Sequence, residues 1–151
     1  MKILILTVSI ILISGSCSGS KGANEQCLEK VLPGKTLNDV TWGKLQTEAF
    51  VKDNKQYQCF ILCGLSNLNI LKADGAVETN GNPLKSELDD VITNCAKEPA
   101  LGDSCKTAKQ SAMCLLKSAG TLNPNNGVGK IIKDKNAEFK NSGKTIKWHQ
   151  N

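Results

Sequence analysis

The chain has 151 residues, a formal net charge of +5, 4% aromatic residues and seven cysteines. That length suits one domain with a core of its own. Every basic residue is a lysine, so the bidentate guanidinium fork that reads phosphates and base edges is missing, and with so few rings to stack on bases the chain is not expected to bind nucleic acid.

Lys2 is followed by an apolar run over residues 3–13 and then by Ser14-Gly15-Ser16-Cys17-Ser18-Gly19-Ser20. A basic start, a short apolar stretch and small residues near a cut site form a secretory signal peptide. The run falls short of the roughly 20 apolar residues that cross a bilayer. The organisation expected is a signal peptide over 1–18, with the cut between 18 and 20. A disulfide-linked helical domain follows over 19–120, and a basic C-terminal segment with a short helix over 121–151 belongs to the same domain. Either cut removes Cys17 and leaves an even six: Cys27, Cys59, Cys63, Cys95, Cys105 and Cys114. A bacterial lipoprotein signal is a minor alternative, because Ser14 stands where that signal carries leucine. Export to an oxidising compartment and an even cysteine count support each other.

Residues 24–31 read as a short helix carrying Cys27, broken by Leu32-Pro33-Gly34. Thr36-Leu37-Asn38-Asp39 has the form of a capping box, and predicts a helix with Leu37, Val40, Thr41, Lys44 and Leu45 on one side. Trp42 lies off that stripe, either against a cavity or on the surface. Residues 51–58 begin as polar loop. Residues 59–65 are apolar all round, which is the pattern of a helix buried through the middle of a domain. Asp74-Gly75 marks a turn. Asn82 and Pro83 open a helix as N-cap and first residue, with Leu84, Leu88, Val91, Ile92 and Cys95 as its apolar stripe. Glu98-Pro99 stops it. Asp103 caps the next helix, which presents Leu101, Cys105, Ala108, Ala112, Leu115 and Leu116, while Lys106, Lys109 and Lys117 face solvent and Gly120 ends it. A turn-rich link over 123–127 leads to a last short helix with Val128, Ile131, Ile132 and Phe139. Residues 141–151 are either a disordered tail or a flap folded back on apolar surface. The net charge sits in this C-terminal part: six lysines face only Asp134 and Glu138 over 121–151.

The helical pattern gives the cysteines directions. Cys59 and Cys63 sit one turn apart on one face, and Cys105 and Cys114 point to opposite sides of their helix. A disulfide needs Cβ atoms roughly 4 Å apart, so neither pair closes on itself; the other pairings stay open.

The chemistry of an enzyme is poorly represented. His149 is the one histidine, and a catalytic triad would have to be built on the end of the chain. Zinc needs several Cys or His ligands, which the disulfides use up. Gly127-Val128-Gly129-Lys130 lacks the spacing of a phosphate loop and reads as a turn. Asp74-Gly75 lacks the acidic ladder of a calcium loop. Glu87, Asp89 and Asp90 fall on the outer side of their helix as a solvated face. No enzyme activity, cofactor or metal is expected.

Written with its gaps, the pattern is Cys27-x31-Cys59-x3-Cys63-x31-Cys95-x9-Cys105-x8-Cys114. With Cys59-Phe60 and the Asp74-Gly75 turn, it resembles the six-cysteine insect odorant-binding proteins of the pheromone-binding and general odorant-binding (PBP/GOBP) family. The resemblance implies an all-α fold of about six helices around an internal hydrophobic cavity. It implies disulfides Cys27–Cys63, Cys59–Cys105 and Cys95–Cys114, secretion into extracellular fluid, and carriage of small hydrophobic molecules such as odorants or pheromones. Partners on this reading are a small hydrophobic ligand, a chemosensory receptor or a membrane surface, with the chain a monomer or weak homodimer. Several moth members release ligand at low pH through multiple histidines and a C-terminal helix; with His149 alone, a histidine-cluster switch is not expected. Candidate pocket residues are Trp42, Phe60, Leu68, Leu88, Val91, Ile92, Met113, Leu116 and Trp148. Alternative roles are a salivary, venom or reproductive-fluid carrier of amines or lipids on the same fold, and a secreted helical membrane-active or signalling protein with the basic tail as effector.

Overall fold

The computed structural model describes residues 21–119 and 127–149. The expected signal peptide, the helix end at Gly120 and most of the turn-rich link (123–126) lie outside the described residues.

Helix α1 spans Ala23–Val31 and buries Ala23, Cys27, Leu28 and Val31, one face of a helical repeat. Leu32 ends it, and Gly34 at φ 85° turns the chain as expected of Pro33-Gly34. The next start signal does not open a helix. Thr36 donates to Asp39 Oδ2 from its backbone N–H at 2.8 Å and from Oγ1 at 3.0 Å, but this closes a lone turn and leaves Leu37 43% exposed. The helix begins instead at α2, Trp42–Leu45, where Thr41 Oγ1 accepts from the Lys44 N–H. It widens into a π-helical turn over Gln46–Val51, an element that apolar periodicity does not reveal.

Helix α3, Lys55–Asn67, is capped by Asn54 and buried continuously from Tyr57 to Gly64. It is the central rod that an all-round apolar run predicts. Gln58, fully buried, donates to the Ala49 carbonyl at 3.0 Å and to Asp53 Oδ1, tying the π-turn to α3. After α3, Asn69 turns left-handed (φ 62°), and Leu71 pairs with Val77 in an isolated antiparallel bridge around the Asp74-Gly75 turn. Gly75 (φ 89°) is pressed against the next helix: a Cβ there would collide with the Ser104 carbonyl oxygen, and Ser111 Oγ donates to the Gly75 carbonyl at 2.7 Å.

Helix α4, Lys85–Cys95, is kinked at Leu88 (φ −135°, ψ 40°). Asn82 does not cap it directly. Its Oδ1 accepts from the Leu84 N–H and its Nδ2 donates to the carbonyls of Ile70 and Glu78, so it anchors a preceding turn. Helix α5, Ser104–Ala119, starts where Asp103 Oδ1 accepts from the N–H groups of Cys105 and Lys106. Leu101 lies outside its apolar face, 53% exposed, because Gly102 at φ 81° turns the chain just before the helix. Helix α6, Gly127–Asn141, is longer than the short helix expected, and Gly127-Val128-Gly129-Lys130 opens it rather than forming a turn.

The described residues thus form six helices without a strand. Helix α3 packs most extensively against α5 and α1, α4 packs on α5, and α6 closes against α1. Three disulfides hold this arrangement: Cys27–Cys63 ties α1 to α3, Cys59–Cys105 ties α3 to α5, and Cys95–Cys114 ties α4 to α5. These are the pairs the resemblance implies. They close loops with sequence separations of 36, 46 and 19, each contributing about 3–4 kcal/mol by restricting the unfolded chain.

The tail folds back as an extended strap over 144–149. Gln26 Nε2 donates to the Lys144 carbonyl and Gln26 Oε1 accepts from the Ile146 N–H. Asn67 does the same to Lys147, at 3.0 Å to its carbonyl and 2.8 Å from its N–H. Ile146 and Trp148 pack against the core.

Candidate functional site

Two faces of α3 border two different depressions. On one face, Phe60, Ile61, Gly64 and Leu65 meet residues of every other helix but α4 around a cavity of about 140 Å³. Gly64 leaves room there: a Cβ would lie 2.7 Å from Asn24 Oδ1. Ala112, Leu115 and Leu116 on α5 and Val128 and Ile132 on α6 recur at three- and four-residue spacings, so each helix turns one stripe inward. Trp42 and Leu45 of α2 close another side. Trp42 meets Phe50 of the π-turn edge to face, with ring centroids 6.4 Å apart. Asn24 is the polar exception in the wall, and no charged side chain lines it among the described residues.

On the opposite face, Cys59, Leu62, Ser66 and Asn67 border a groove of about 1130 Å³ edged by the strap. Its rim is polar and charged. Lys55 Nζ lies 2.9 Å from Asp103 Oδ2; this contact first, then the backbone donors of Lys106 and Cys105, hold the Asp103 carboxyl below its ordinary value. At the edge of the fold, Lys109 Nζ approaches Asp53 Oδ1 at 2.9 Å and, with Gln58, lowers that carboxyl too.

The structure divides the sequence-derived pocket residues. Trp42, Phe60 and Leu116 line the cavity. Leu68 and Ile92 are buried but pack in the core away from it. Leu88 and Val91 are half-buried against the core, because α4 lies on the outer side of α5, where Cys95–Cys114 holds it. Met113 is 45% exposed. It stands about 100° round the helix from Ala112 and so leaves the face that Ala112, Leu115 and Leu116 share. Trp148 borders the groove instead. Sequence reasoning missed Gly64, Leu45, Ile70 and the α6 wall. The inward stripe of α6 was visible in Val128 and Ile132; Gly64, a gap in an otherwise bulky apolar run, was a signal as well.

Among the described residues no cluster of three or more His, Cys, Asp or Glu could hold a metal ion, and no helix is long and apolar enough to cross a membrane. An all-helical shell, clamped by three disulfides and hollow beside its central helix, defines a class of small-ligand carriers. The chain belongs to the PBP/GOBP family, whose model matches residues 17–118, the odorant- and pheromone-binding proteins of insects. Members of this family are secreted proteins that carry small hydrophobic ligands and are not enzymes. No curated protein and no solved structure matched the chain.

Proposed function

We propose that this protein is a secreted carrier that takes up odorants, pheromones or similar semiochemicals in the cavity beside α3 and moves them through extracellular fluid. The observation that carries this reading is the apolar cavity itself, walled by five helices with no charged lining side chain among the described residues. Its volume compares with an apolar cavity of about 150 Å³ that stays dry and admits benzene. It lies below the several hundred Å³ of typical small-molecule sites. A compact volatile fits as the walls stand; a longer one displaces α6 or Trp42. Burying about 250 Å² of apolar ligand at about 25 cal/mol per Å² is worth about 6 kcal/mol, or tens of micromolar before ordering costs. That range suits a carrier that must load and release. Wall chemistry favours neutral molecules over the protonated amines of the alternative carrier role, since a desolvated charge would find no opposite charge there.

The test is displacement of an apolar fluorescent probe from the oxidised protein by a panel of volatiles. Displacement at micromolar concentrations is expected. No displacement by volatiles or fatty acids would remove the reading.

A further inference from the structure

The groove on the strap side of α3 plays no part in the cavity reading. Its floor is apolar in part: Leu62 of α3 and Phe139 of α6 are buried there, and Trp148 of the strap lies half-buried beside them. Its rim is cationic. Among the described residues that line it, Lys55, Lys144 and Lys147 face a single carboxylate, Asp103. That carboxylate is already engaged by Lys55 Nζ at 2.9 Å and by the N–H groups of Cys105 and Lys106. Neither Lys144 nor Lys147 pairs with a carboxylate among the described residues. Gln26 and Asn67 fasten the strap through its backbone atoms, so folding leaves both ammonium groups uncommitted. A bare inorganic anion would use this charge and leave the floor wet. A neutral hydrocarbon would cover the floor and leave the charge unused.

We infer that the groove is a second ligand site, separate from the cavity, and that it takes a single-chain anionic amphiphile. The head group lies against Lys144 and Lys147, and the chain lies along Leu62, Phe139 and Trp148. A fatty carboxylate is the simplest molecule of this kind. Lysine reads such a head as a point charge and demands no bidentate shape. Its flexible stem lets the ammonium follow the head while the methylenes cover the chain. At about 1130 Å³ the groove accommodates a chain that the cavity of about 140 Å³ does not admit as its walls stand. The two sites lie on opposite faces of α3, so a compact neutral molecule and an amphiphile can be held at the same time.

Decanoate, decan-1-ol and decylammonium share one chain and differ in the charge of the head. Each is titrated at neutral pH into the oxidised protein while the indole ¹H–¹⁵N resonances of Trp42 and Trp148, assigned with Trp148→Phe, are followed. Decanoate should move the Trp148 resonance and leave that of Trp42 nearly still. It should bind about threefold or more tighter than the alcohol and about tenfold or more tighter than the ammonium. Replacing both strap lysines, Lys144→Gln with Lys147→Gln, should weaken decanoate about three- to tenfold and the alcohol less than twofold. These substitutions keep the strap's hydrogen bonds, which use backbone atoms, so binding of an apolar probe in the cavity should not change. In Gly64→Leu, whose added side chain is directed towards the cavity, decanoate affinity should stay within about twofold. A response at Trp42 in place of Trp148, loss of decanoate binding in folded Gly64→Leu, or equal affinity for the three heads would each overturn the inference and leave the carrier reading intact. Decanoate bound at Trp148 in a protein whose cavity takes no apolar probe would instead remove the carrier reading and leave this site standing.

Discussion

One helix, α3, serves two opposed depressions, and they differ in kind. The groove under the strap is about eight times larger than the cavity on the other face, and it is rimmed by Lys55, Asp103, Lys144 and Lys147. Leu62, Phe139 and Trp148 give its floor an apolar part, and water satisfies only the polar groups along its rim. The cavity is small and its wall is apolar apart from Asn24, so apolar ligand surface buried there is removed from water beside few polar groups. On the carrier reading proposed above, the character of the wall rather than the size of the depression points to the site.

The largest expected effect comes from releasing α3 itself. Replacing Cys59 and Cys105 together by serine opens the loop with the longest separation, 46 residues, and should cost about 4 kcal/mol in denaturant unfolding. Both depressions should loosen, so probe binding and protease resistance of the strap should fall together. A result in which only one of them falls would break the picture of a shared rod.

A change on one face should leave the other untouched. Gly64→Leu directs a side chain towards Asn24 and the cavity; affinity for an apolar probe should drop more than tenfold, with the strap as protected from proteolysis as before. The converse change is Asn67→Ala. It removes both hydrogen bonds to Lys147, each worth about 1 kcal/mol. Amide exchange over 144–149 should accelerate about tenfold or more, while ligand affinity shifts less than twofold.

Acidification should give the smallest effect. Asp53 and Asp103 have folded pKa values lowered from 3.8, by Lys109 and Lys55 respectively as the leading cause. A carboxylate of that kind stabilises the fold fully above its unfolded value and loses its contribution as the pH falls through the folded one. The window therefore lies below 3.8. These pairs should leave the melting temperature level from about pH 7 to pH 5 and lower it only in stronger acid. Asp53 is exposed and Asp103 partly so, and solvent screens both pairs, so the drop should be modest.

Legibility in the sequence followed the source of each feature's stability. The α3 rod was readable because an unbroken apolar run has one physical outcome, burial on all sides. The directions of Cys59, Cys63, Cys105 and Cys114 followed from helical geometry alone. The Thr36–Asp39 turn shows the opposite case: a cap signal is local, and whether a helix follows depends on packing that the signal does not contain. The π-turn, joined to α3 by the hydrogen bond from Gln58 to the Ala49 carbonyl, and the kink at Leu88 leave no mark in the apolar periodicity. The wall residues were partly legible for the same reason. An apolar stripe says that a helix face is covered, but not whether a neighbour or a hollow covers it, so Ile92 and Leu116 looked alike.

The strap is held by two side-chain amides that touch only backbone atoms, the carbonyls of Lys144 and Lys147 and the N–H groups of Ile146 and Lys147. Such a grip is blind to the side chains it holds. The strap can change its charge without losing these hydrogen bonds, so the groove's rim can be retuned while the fold stays put. The exception is proline, which has no N–H to offer: at positions 146 or 147 it would undo the fastening, and those two sites mark where the freedom of the tail ends.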